Sequence, residues 1–147
     1  MQITYKGDYS LKAILFLSTK YNRDVVTSQE LAKSLDIPVK FLEQVLLDLK
    51  RGGFIDSKRG VKGGYFLLKH PKDIKIGDVI RFIDGPIEPI ACASQDKCYR
   101  GCRDIDNCVF RDIWIETTKA ISDIVDKITF DELRFKYNLR ENINYYI

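Results

Sequence analysis

Apolar residues recur every three or four positions through most of the first fifty residues, which predicts amphipathic helices. Tyr9–Thr19 carries such a stripe, and Asp8 precedes it as a candidate helix cap. Thr27-Ser-Gln-Glu30 is a capping box that opens a second helix. Pro38 suits the start of a third helix, Val39–Lys50. A short helix, a tight turn and a longer helix together predict a helix-turn-helix motif.

The third predicted helix has a polar face with residue types that contact DNA bases. Lys40, Glu43 and Gln44 share one patch opposite the apolar positions. Glutamine is a residue type that pairs with adenine edges in a major groove. Taken alone, this patch would be interpreted as an ordinary solvated helix face.

The sequence after the third helix predicts a β-hairpin. Two β-prone runs, 54–57 and 65–68, flank a glycine-rich tip that carries Arg59 and Lys62. Such a tip can approach a phosphate backbone or a narrow minor groove closely. Three helices and a basic hairpin predict a mainly α fold with a small β-hairpin wing, forming a winged helix-turn-helix DNA-binding domain over residues 1–75.

The charge distribution differs between the two halves of the chain. Residues 1–75 carry 14 Lys and Arg against 8 Asp and Glu, a net charge of +6, whereas residues 76–147 have a net charge of −3. A basic half is the expected footprint of a module that binds a polyanion. Because the excess is modest, the charge alone would also fit a solvated basic surface.

The second half is predicted to connect the DNA-binding domain to a dimerisation helix. Ile76–Ile83 is a short predicted helix within a connecting segment, 76–91. Phe110–Ile128, within residues 109–147, has the longest run of apolar residues at helical spacing, and a short helix is expected to follow and to end at Tyr137. We expect the long helix to pair with its copy in a homodimer, which would present two recognition helices to a palindromic DNA site. The alternative is that it packs only against its own domain.

All four cysteines lie within residues 92–108, and the other 130 residues contain none. The four are Cys92, Cys98, Cys102 and Cys108. Thiolates at such short spacings are suitable ligands for zinc, copper(I) or an iron–sulfur cluster. The segment is polar and lacks helical or strand periodicity, so we expect a loop that binds an iron–sulfur cluster and controls the DNA-binding domain.

Several function classes are disfavoured. No apolar run approaches the roughly 20 residues that span a bilayer, and the N-terminus lacks the apolar region of a secretion signal. We therefore expect no membrane association and a cytoplasmic location, where clustered cysteines indicate metal binding or redox sensing. No His/Asp/Ser constellation indicates an enzyme, and His70, which precedes Pro71, is expected to be a surface residue.

Several motifs together resemble the Rrf-two family of bacterial winged-helix regulators, which includes the iron–sulfur regulator IscR and the nitric-oxide-sensing regulator NsrR. The matching motifs are Leu42-Glu43-Gln44, Arg59-Gly60-x-x-Gly63-Gly64-Tyr65, Ile76-Gly-Asp-Val-Ile80, the cysteine segment and the long helix with Trp114. The resemblance implies a homodimer on double-stranded DNA, with Glu43 and Gln44 facing base edges and Arg59 entering the minor groove. In IscR-like proteins, a glutamate at this position is associated with a change of DNA site class when the cluster is present.

The resemblance also implies the cluster ligands. The family uses three cysteines, the last lying six residues before the tryptophan, which places the ligands at Cys92, Cys98 and Cys108. A [2Fe–2S] cluster is favoured over a [4Fe–4S] cluster because of the resemblance to IscR.

The fourth ligand departs from the IscR pattern. IscR-like proteins have a histidine three residues after the last cysteine, but this chain has Arg111, which cannot be a ligand. Cys102 is the local candidate. Asp8 of the partner subunit is the other, because NsrR-like proteins use an acidic residue at the matching N-terminal position.

Three alternatives to a cluster-controlled regulator remain. A structural zinc site would fit four cysteines, although only Cys98-x-x-x-Cys102 resembles a zinc knuckle. A cluster-free thiol switch, as in the family's regulators of sulfur metabolism, needs only two reactive cysteines. A small iron–sulfur electron carrier or assembly scaffold is the alternative from another functional class, and salt-dependent DNA binding would exclude it.

Overall fold

The computed structural model describes residues 2–94, 101 and 104–145. In that part of the chain the fold is mainly α with a two-stranded antiparallel hairpin, which confirms the predicted fold class. The elements are α1 Tyr5–Thr19, α2 Ser28–Leu35, α3 Val39–Arg51, β1 Ile55–Lys58, β2 Gly64–Leu67, α4 Ile76–Asp84, α5 Val109–Val125 and α6 Phe130–Tyr145. Short 3-10 turns lie at Pro71–Asp73 and Ala91–Ala93.

The first helix begins four residues earlier than the hydrophobic pattern predicted. Thr4 is its N-cap, and the Thr4 hydroxyl accepts a hydrogen bond from the Gly7 N–H at 3.0 Å. The same hydroxyl donates to Asp84 at the end of α4, 2.6 Å away. The prediction that Asp8 caps this helix is therefore wrong, since Asp8 lies in the first turn and forms an ion pair with Lys12.

The helix-turn-helix motif forms as predicted. Thr27 caps α2 by accepting a hydrogen bond from the Glu30 N–H at 3.1 Å. Asp36 ends α2 in a left-handed backbone conformation, with a φ of 52°, and α3 starts directly after Pro38. The two helices share one hydrophobic core with α1 and the hairpin. Its fully buried side chains include Ile14, Leu31, Leu42, Val45, Leu46, Leu49 and Ile55.

The hairpin is one residue out of step with each predicted run. Ile55 pairs with Leu67 at the base, and Lys58 pairs with Gly64 near the tip. Val26 adds a further rung, because its N–H and C=O both bond to Tyr65, at 3.0 and 2.8 Å. A side chain on Gly64 would meet the Val26 backbone at 2.7 Å, so this close approach requires glycine.

The C-terminal helix is longer than predicted and belongs to the main core. A capping box starts it, since the Thr129 N–H donates to Glu132 at 3.0 Å and the Glu132 N–H donates back to the Thr129 hydroxyl at 3.3 Å. Phe130 is 1% exposed within the core shared with α1 and α3. The prediction that this helix ends at Tyr137 is wrong, because α6 continues to Tyr145. The helix packs against α1, whereas its residues 138–143 are exposed.

His70 has a local structural role. Its Nδ1 accepts a hydrogen bond from the Lys72 N–H at 3.1 Å, which caps the 3-10 turn that follows. The imidazole also stands edge-on to the Tyr21 ring, 5.0 Å away.

Across the described helices, none combines the length and the apolar character that a bilayer-spanning segment requires.

Candidate nucleic-acid interface and cysteine segment

The polar face of α3 is solvent-exposed. Lys40, Glu43 and Gln44 all lie on this exposed side, and the opposite side of the helix supplies core residues. The 3.6-residue period of apolar positions in the sequence thus predicted the buried and the exposed face of α3 correctly. Because three polar side chains of suitable types project from one stretch of helix, α3 can present hydrogen-bond donors and acceptors to base edges in a major groove.

An aromatic surface borders this face, and it is hard to predict from the sequence. Tyr5 and Tyr9, one turn apart on α1, line a shallow depression together with Pro38, Phe41 and Gln44. Tyr9 meets Phe41 edge-on at 5.4 Å, and Tyr5 is 79% exposed. The available signal was the four-residue spacing of the two tyrosines, but their partner comes from another helix, so only the packing of α1 on α3 reveals the surface.

Asp48 links the N-terminus of the chain to α3. Lys6 Nζ lies 2.6 Å from Asp48 Oδ2, and Arg51 Nη1 lies 3.3 Å from Oδ1. The pKa of Asp48 is lowered, chiefly by its hydrogen bond with the Lys6 ammonium, and the Gln44 amide contributes a further hydrogen bond against the opposing effect of burial. The ion pair with Lys6 thus joins α1 to α3 one helical turn after Gln44, a candidate DNA-binding residue.

The hairpin tip carries exposed cations. Arg59 and Lys62 are both exposed, and Val61 between them is fully exposed. Gly60 adopts a φ of 109°, a conformation open to glycine, and its C=O accepts the Gly63 N–H at 2.9 Å. A tight turn with two projecting cations can contact phosphates or enter a minor groove.

The hairpin tip also faces the start of α2. Residues 27–29 and 57–61 line one cleft between the two elements. The free N–H groups at a helix N-terminus favour a negative charge, as do the nearby side chains of Lys58 and Arg59. The start of α2 and the hairpin tip therefore form one polar and basic surface, and the polar face of α3 is exposed as well.

The structure describes only part of the predicted cysteine cluster. Cys92 is 6% exposed within the turn at Ala91–Ala93, and Cys108 is the half-buried N-cap of α5. Both are free thiols. Cys98 and Cys102 lie outside the described residues. Within residues 2–94, 101 and 104–145, no three His, Cys, Asp or Glu side chains gather as a metal site.

Arg111 joins the two ends of the cysteine segment. Its Nε donates to the Cys92 carbonyl at 3.3 Å, and its Nη1 lies 3.8 Å from Asp106. The turn around Cys92 therefore packs against the first turns of α5, where Cys108 is located. Two free thiols at the two ends of one segment fit a thiolate-ligated group, because neither is committed to a disulfide or to the main core.

Asp8, the other candidate for the fourth ligand, lies on the N-terminal half of α1. Its side chain is 45% exposed and pairs with Lys12. It also borders a surface depression lined by residues 2–5. An exposed carboxylate can release its lysine partner and bind a metal ion instead. The assignment of Asp8 of the partner subunit as a ligand therefore stays a prediction.

A bidentate ion pair connects α4 to α5. Arg81 Nη1 and Nη2 donate to the two carboxylate oxygens of Asp126 at 2.6 and 2.9 Å, and Nη2 also donates to the Ser122 hydroxyl at 3.2 Å. The pKa of Asp126 is lowered, first by its hydrogen bonds with Arg81. On its other side α4 contacts the DNA-binding motif, since Phe82 meets Phe54 at 5.6 Å.

Replacing Arg81 by Ala is expected to lower the free energy of unfolding by about 1–2 kcal/mol near neutral pH, because a half-exposed bidentate pair is lost. Asp126 has a lower pKa folded than unfolded, so this stabilisation is present above the ordinary Asp pKa of 3.8 and is lost as the pH falls through the folded-state value. Denaturant unfolding of both proteins from about pH 7 to about pH 3 measures the effect. A difference that does not narrow on acidification would contradict the assignment to Asp126.

The apolar stripe of α5 is only partly covered by the residues that the structure describes. Along α5, all of which the structure describes, no residue is buried. Ile113 is 52% exposed and Ile124 is 60% exposed. These residues are eleven positions apart, which places them on one side of the helix. Ile113 and Ile124 therefore form an exposed apolar face on α5.

The comparisons with known proteins agree with one another. The family model described as "Rrf2: Iron-dependent Transcriptional regulator" matches residues 3–135. An rrf2-like HTH-type transcriptional regulator of Rhodobacter capsulatus is 38% identical over 137 residues, covering 89% of this chain and 91% of the relative. The structure of CymR, the global cysteine regulator of B. subtilis, superposes with a TM-score of 0.78 at 28% identity, covering 92% of this chain and 98% of CymR. T. potens IscR superposes with a TM-score of 0.74 at 26% identity, covering 93% and 88%.

Proposed function

The chain belongs to the Rrf2 family of DNA-binding transcriptional regulators, and we propose that it binds a palindromic operator as a homodimer under the control of an iron–sulfur cluster. The observation that carries the proposal is that the polar face of α3 and the basic hairpin tip are both exposed. Its relatives are transcriptional regulators and not enzymes. The proposed site of action is chromosomal DNA in the cytoplasm.

Each exposed side chain of this surface has a chemical role in the proposal. Lys40 and Lys62 contact phosphates, and Arg59 enters the minor groove. Gln44 pairs with an adenine edge through its amide. Glu43 accepts a hydrogen bond from a cytosine amino group and is repelled by misplaced phosphates, so it can reject some sites and favour others.

Replacing Gln44 by Ala is expected to lower discrimination between operator and random DNA by about 1–3 kcal/mol, the range for one bidentate base contact. Binding to random DNA should change little, because that binding depends on phosphate contacts. Fluorescence anisotropy with an operator selected from a random library, and with a scrambled duplex, measures both affinities at one salt concentration.

The matched control is Lys62→Ala, which removes a proposed phosphate contact from the hairpin tip. It should weaken binding to both duplexes equally. The slope of log affinity against log salt concentration should become smaller by about one, because one phosphate contact is lost. Equal losses on both duplexes for Gln44→Ala would contradict the base-contacting role of Gln44. Salt-independent binding by the unmodified protein would contradict DNA recognition altogether and favour the electron-carrier or scaffold alternative.

The exposed apolar face of α5 supports the homodimer. An exposed stripe that includes Ile113 and Ile124 is costly in water, and the same helix of a second chain offers a matching surface. Two copies related by a two-fold axis would place two α3 helices on successive half-sites. The palindrome in the proposed operator follows from that symmetry.

The cluster would be held by the cysteine segment. Cys92, Cys98 and Cys108 are the proposed ligands, with either Cys102 or Asp8 of the partner subunit as the fourth. A bound cluster supplies a redox-active group that oxygen, nitric oxide or iron shortage can alter or remove. Free thiols at Cys92 and Cys108 support this assignment, and we favour a [2Fe–2S] cluster.

The contacts of α4 suggest how the cysteine segment could influence DNA binding. The segment begins shortly after α4, and Arg81 fixes α4 to α5, whose first residues follow Cys108. Phe82 contacts Phe54, just after the end of α3. A change in the cysteine segment would therefore move α4 and α5 against the end of α3 and the hairpin. As in any two-state element, the ligand must bind one arrangement better than the other.

A cluster-free thiol switch is the second candidate. The high structural similarity to CymR, a global cysteine regulator, favours it. In this alternative, reactive cysteines of the segment would change oxidation state and alter DNA affinity without a metal. Iron and sulfide contents distinguish the two candidates.

A further inference from the structure

The aromatic surface beside α3 is built by two helices. Its lining residues come from α1 and from the start of α3, and they are Tyr5, Tyr9, Pro38, Lys40, Phe41 and Gln44. Tyr9 stands edge-on to Phe41 at 5.4 Å, and its ring centroid lies 6.3 Å from that of Tyr5. The ion pair between Lys6 and Asp48, at 2.6 Å, also joins α1 to α3. The surface is therefore held in shape by contacts between the two helices.

Two of the aromatic rings are open to solvent. Tyr5 is 79% exposed and Phe41 is 43% exposed. Exposed apolar groups that lie together are typical of a binding surface. Lys40 contributes a positive charge to the lining, and no carboxylate belongs to it among the described residues. An apolar surface with a neighbouring cation suits an apolar group that is carried by a polyanion.

This surface is continuous with the face of α3 that the proposed function assigns to DNA, because Lys40 and Gln44 belong to both. Phe41 precedes Gln44 by three residues, which is about 4.5 Å along a helix axis. Successive base pairs are separated by a similar distance, about 3.4 Å. With Gln44 at one base pair, Phe41 lies near the next. The apolar group that a base pair presents in the major groove is the C5 methyl of thymine.

We propose that Phe41 and Tyr5 contact the C5 methyl group of an operator thymine next to the base pair that Gln44 contacts. The proposal deepens the proposed function and rests on it, because it requires the start of α3 to lie in the major groove. Phe41 supplies the main contact, and Tyr5 covers the methyl group from the side of α1. A cytosine at this position has a hydrogen in place of the methyl group, so the operator gains a preference for thymine that polar contacts alone do not give.

Replacement of thymine by 2′-deoxyuridine provides the test, since it removes the C5 methyl group and leaves base pairing intact. Each thymine of the selected operator is replaced in turn, and anisotropy with the full-length protein gives the affinity. We expect one position in each half-site at which uracil lowers affinity about 3- to 5-fold, the effect of burying one methyl group. With Phe41→Ala, uracil at this position should have no effect. With Tyr5→Ala the effect should become smaller.

Phe135 on α6 supplies a matched control. Its ring is 66% exposed and does not line the aromatic surface. Phe135→Ala removes the same group as Phe41→Ala and should leave the uracil effect unchanged. Thermal unfolding verifies that the variants are folded. Because Tyr5 is largely exposed and lies outside the core, Tyr5→Ala still tests the contact if Phe41→Ala does not fold.

The outcomes separate this inference from the proposed function. If uracil has no effect at any position but Gln44→Ala lowers the operator-to-scrambled affinity ratio, the methyl contact is overturned and the base contact of Gln44 stands. If Gln44→Ala also leaves the ratio unchanged, both contacts are overturned. A uracil effect that persists in Phe41→Ala and Tyr5→Ala would reflect DNA shape and would overturn the contact. The same holds if these two variants change the mass in sedimentation equilibrium and keep the uracil effect, because the surface is then a subunit contact.

Discussion

Replacing Cys92, Cys98 and Cys108 together by Ala is expected to remove all iron and acid-labile sulfide from protein purified without oxygen. The physical reason is that thiolates provide the soft ligands that a cluster requires, and alanine provides none. The protein should remain folded, because Cys92 and Cys108 lie outside the main core, with a loss of about 1 kcal/mol for the buried Cys92 side chain. Iron and sulfide per chain, the visible absorption spectrum and thermal unfolding measure these effects.

The metal and sulfide contents of the unmodified protein distinguish the possible outcomes of this experiment. Equal iron and sulfide contents with charge-transfer bands would support the cluster, and two or four irons per chain would give its type. Zinc without sulfide would overturn the sensor hypothesis and leave a zinc-stabilised regulator. Protein without metal would favour the thiol switch, and DNA binding with and without reductant would be measured next. A triple variant that keeps iron and sulfide would show that the ligand assignment is wrong.

Single variants address the fourth ligand. Cys102→Ala and Asp8→Ala each remove one candidate and leave the three proposed cysteines in place. The variant that loses cluster, or holds it less firmly during gel filtration, identifies the ligand. Asp8 carries an additional prediction, because a ligand from the partner subunit makes cluster retention depend on protein concentration. Cys102 as the ligand would give no such dependence.

Introducing aspartate at both Ile113 and Ile124 is expected to convert the proposed dimer to a folded monomer. The two side chains are exposed on one side of α5, and a charge at each position would be buried without a partner in a helix-to-helix interface. Operator affinity should fall about 10²- to 10⁴-fold, because linkage of two half-site contacts is lost. Sedimentation equilibrium gives the mass, and anisotropy with full and half-site DNA gives the affinities.

Lys119→Asp provides the control for this prediction. It introduces an aspartate on the same helix at an exposed position, but on the side away from Ile113. It should leave both the dimer and the operator affinity nearly unchanged. If the isoleucine double variant stays dimeric, or if the control dissociates equally, α5 is not the dimer interface.

Periodicity predicted the parts of the fold that depend on neighbours along the chain. The apolar positions of α3, such as Leu42 and Leu46, are buried as predicted, and Gln44 is exposed. A helix separates its faces every 3.6 residues whatever surrounds it, so this division is visible in the sequence. The hairpin was predicted for the same reason, since its turn residues and β-prone runs are adjacent.

The ends of the helices and the long-range contacts were harder to predict from the sequence. Asp8 was a reasonable local cap, but Thr4 caps α1 and is held by Asp84, eighty residues away. The last helix was predicted to end at Tyr137, whereas the structure continues α6 to Tyr145. The first difference arises from a tertiary contact that a local pattern does not contain.

The sequence by itself determined the winged helix-turn-helix motif, the polar face of α3 and the clustering of all four cysteines, because each is a matter of spacing along one stretch of chain. Only the tertiary structure decided which separate stretches meet. It brought Lys6 to Asp48 and Arg81 to Asp126, and it left the apolar side of α5 partly exposed. The physical reason is that ion pairs and packed surfaces depend on distances in space, and distant residues come together only when the common core forms.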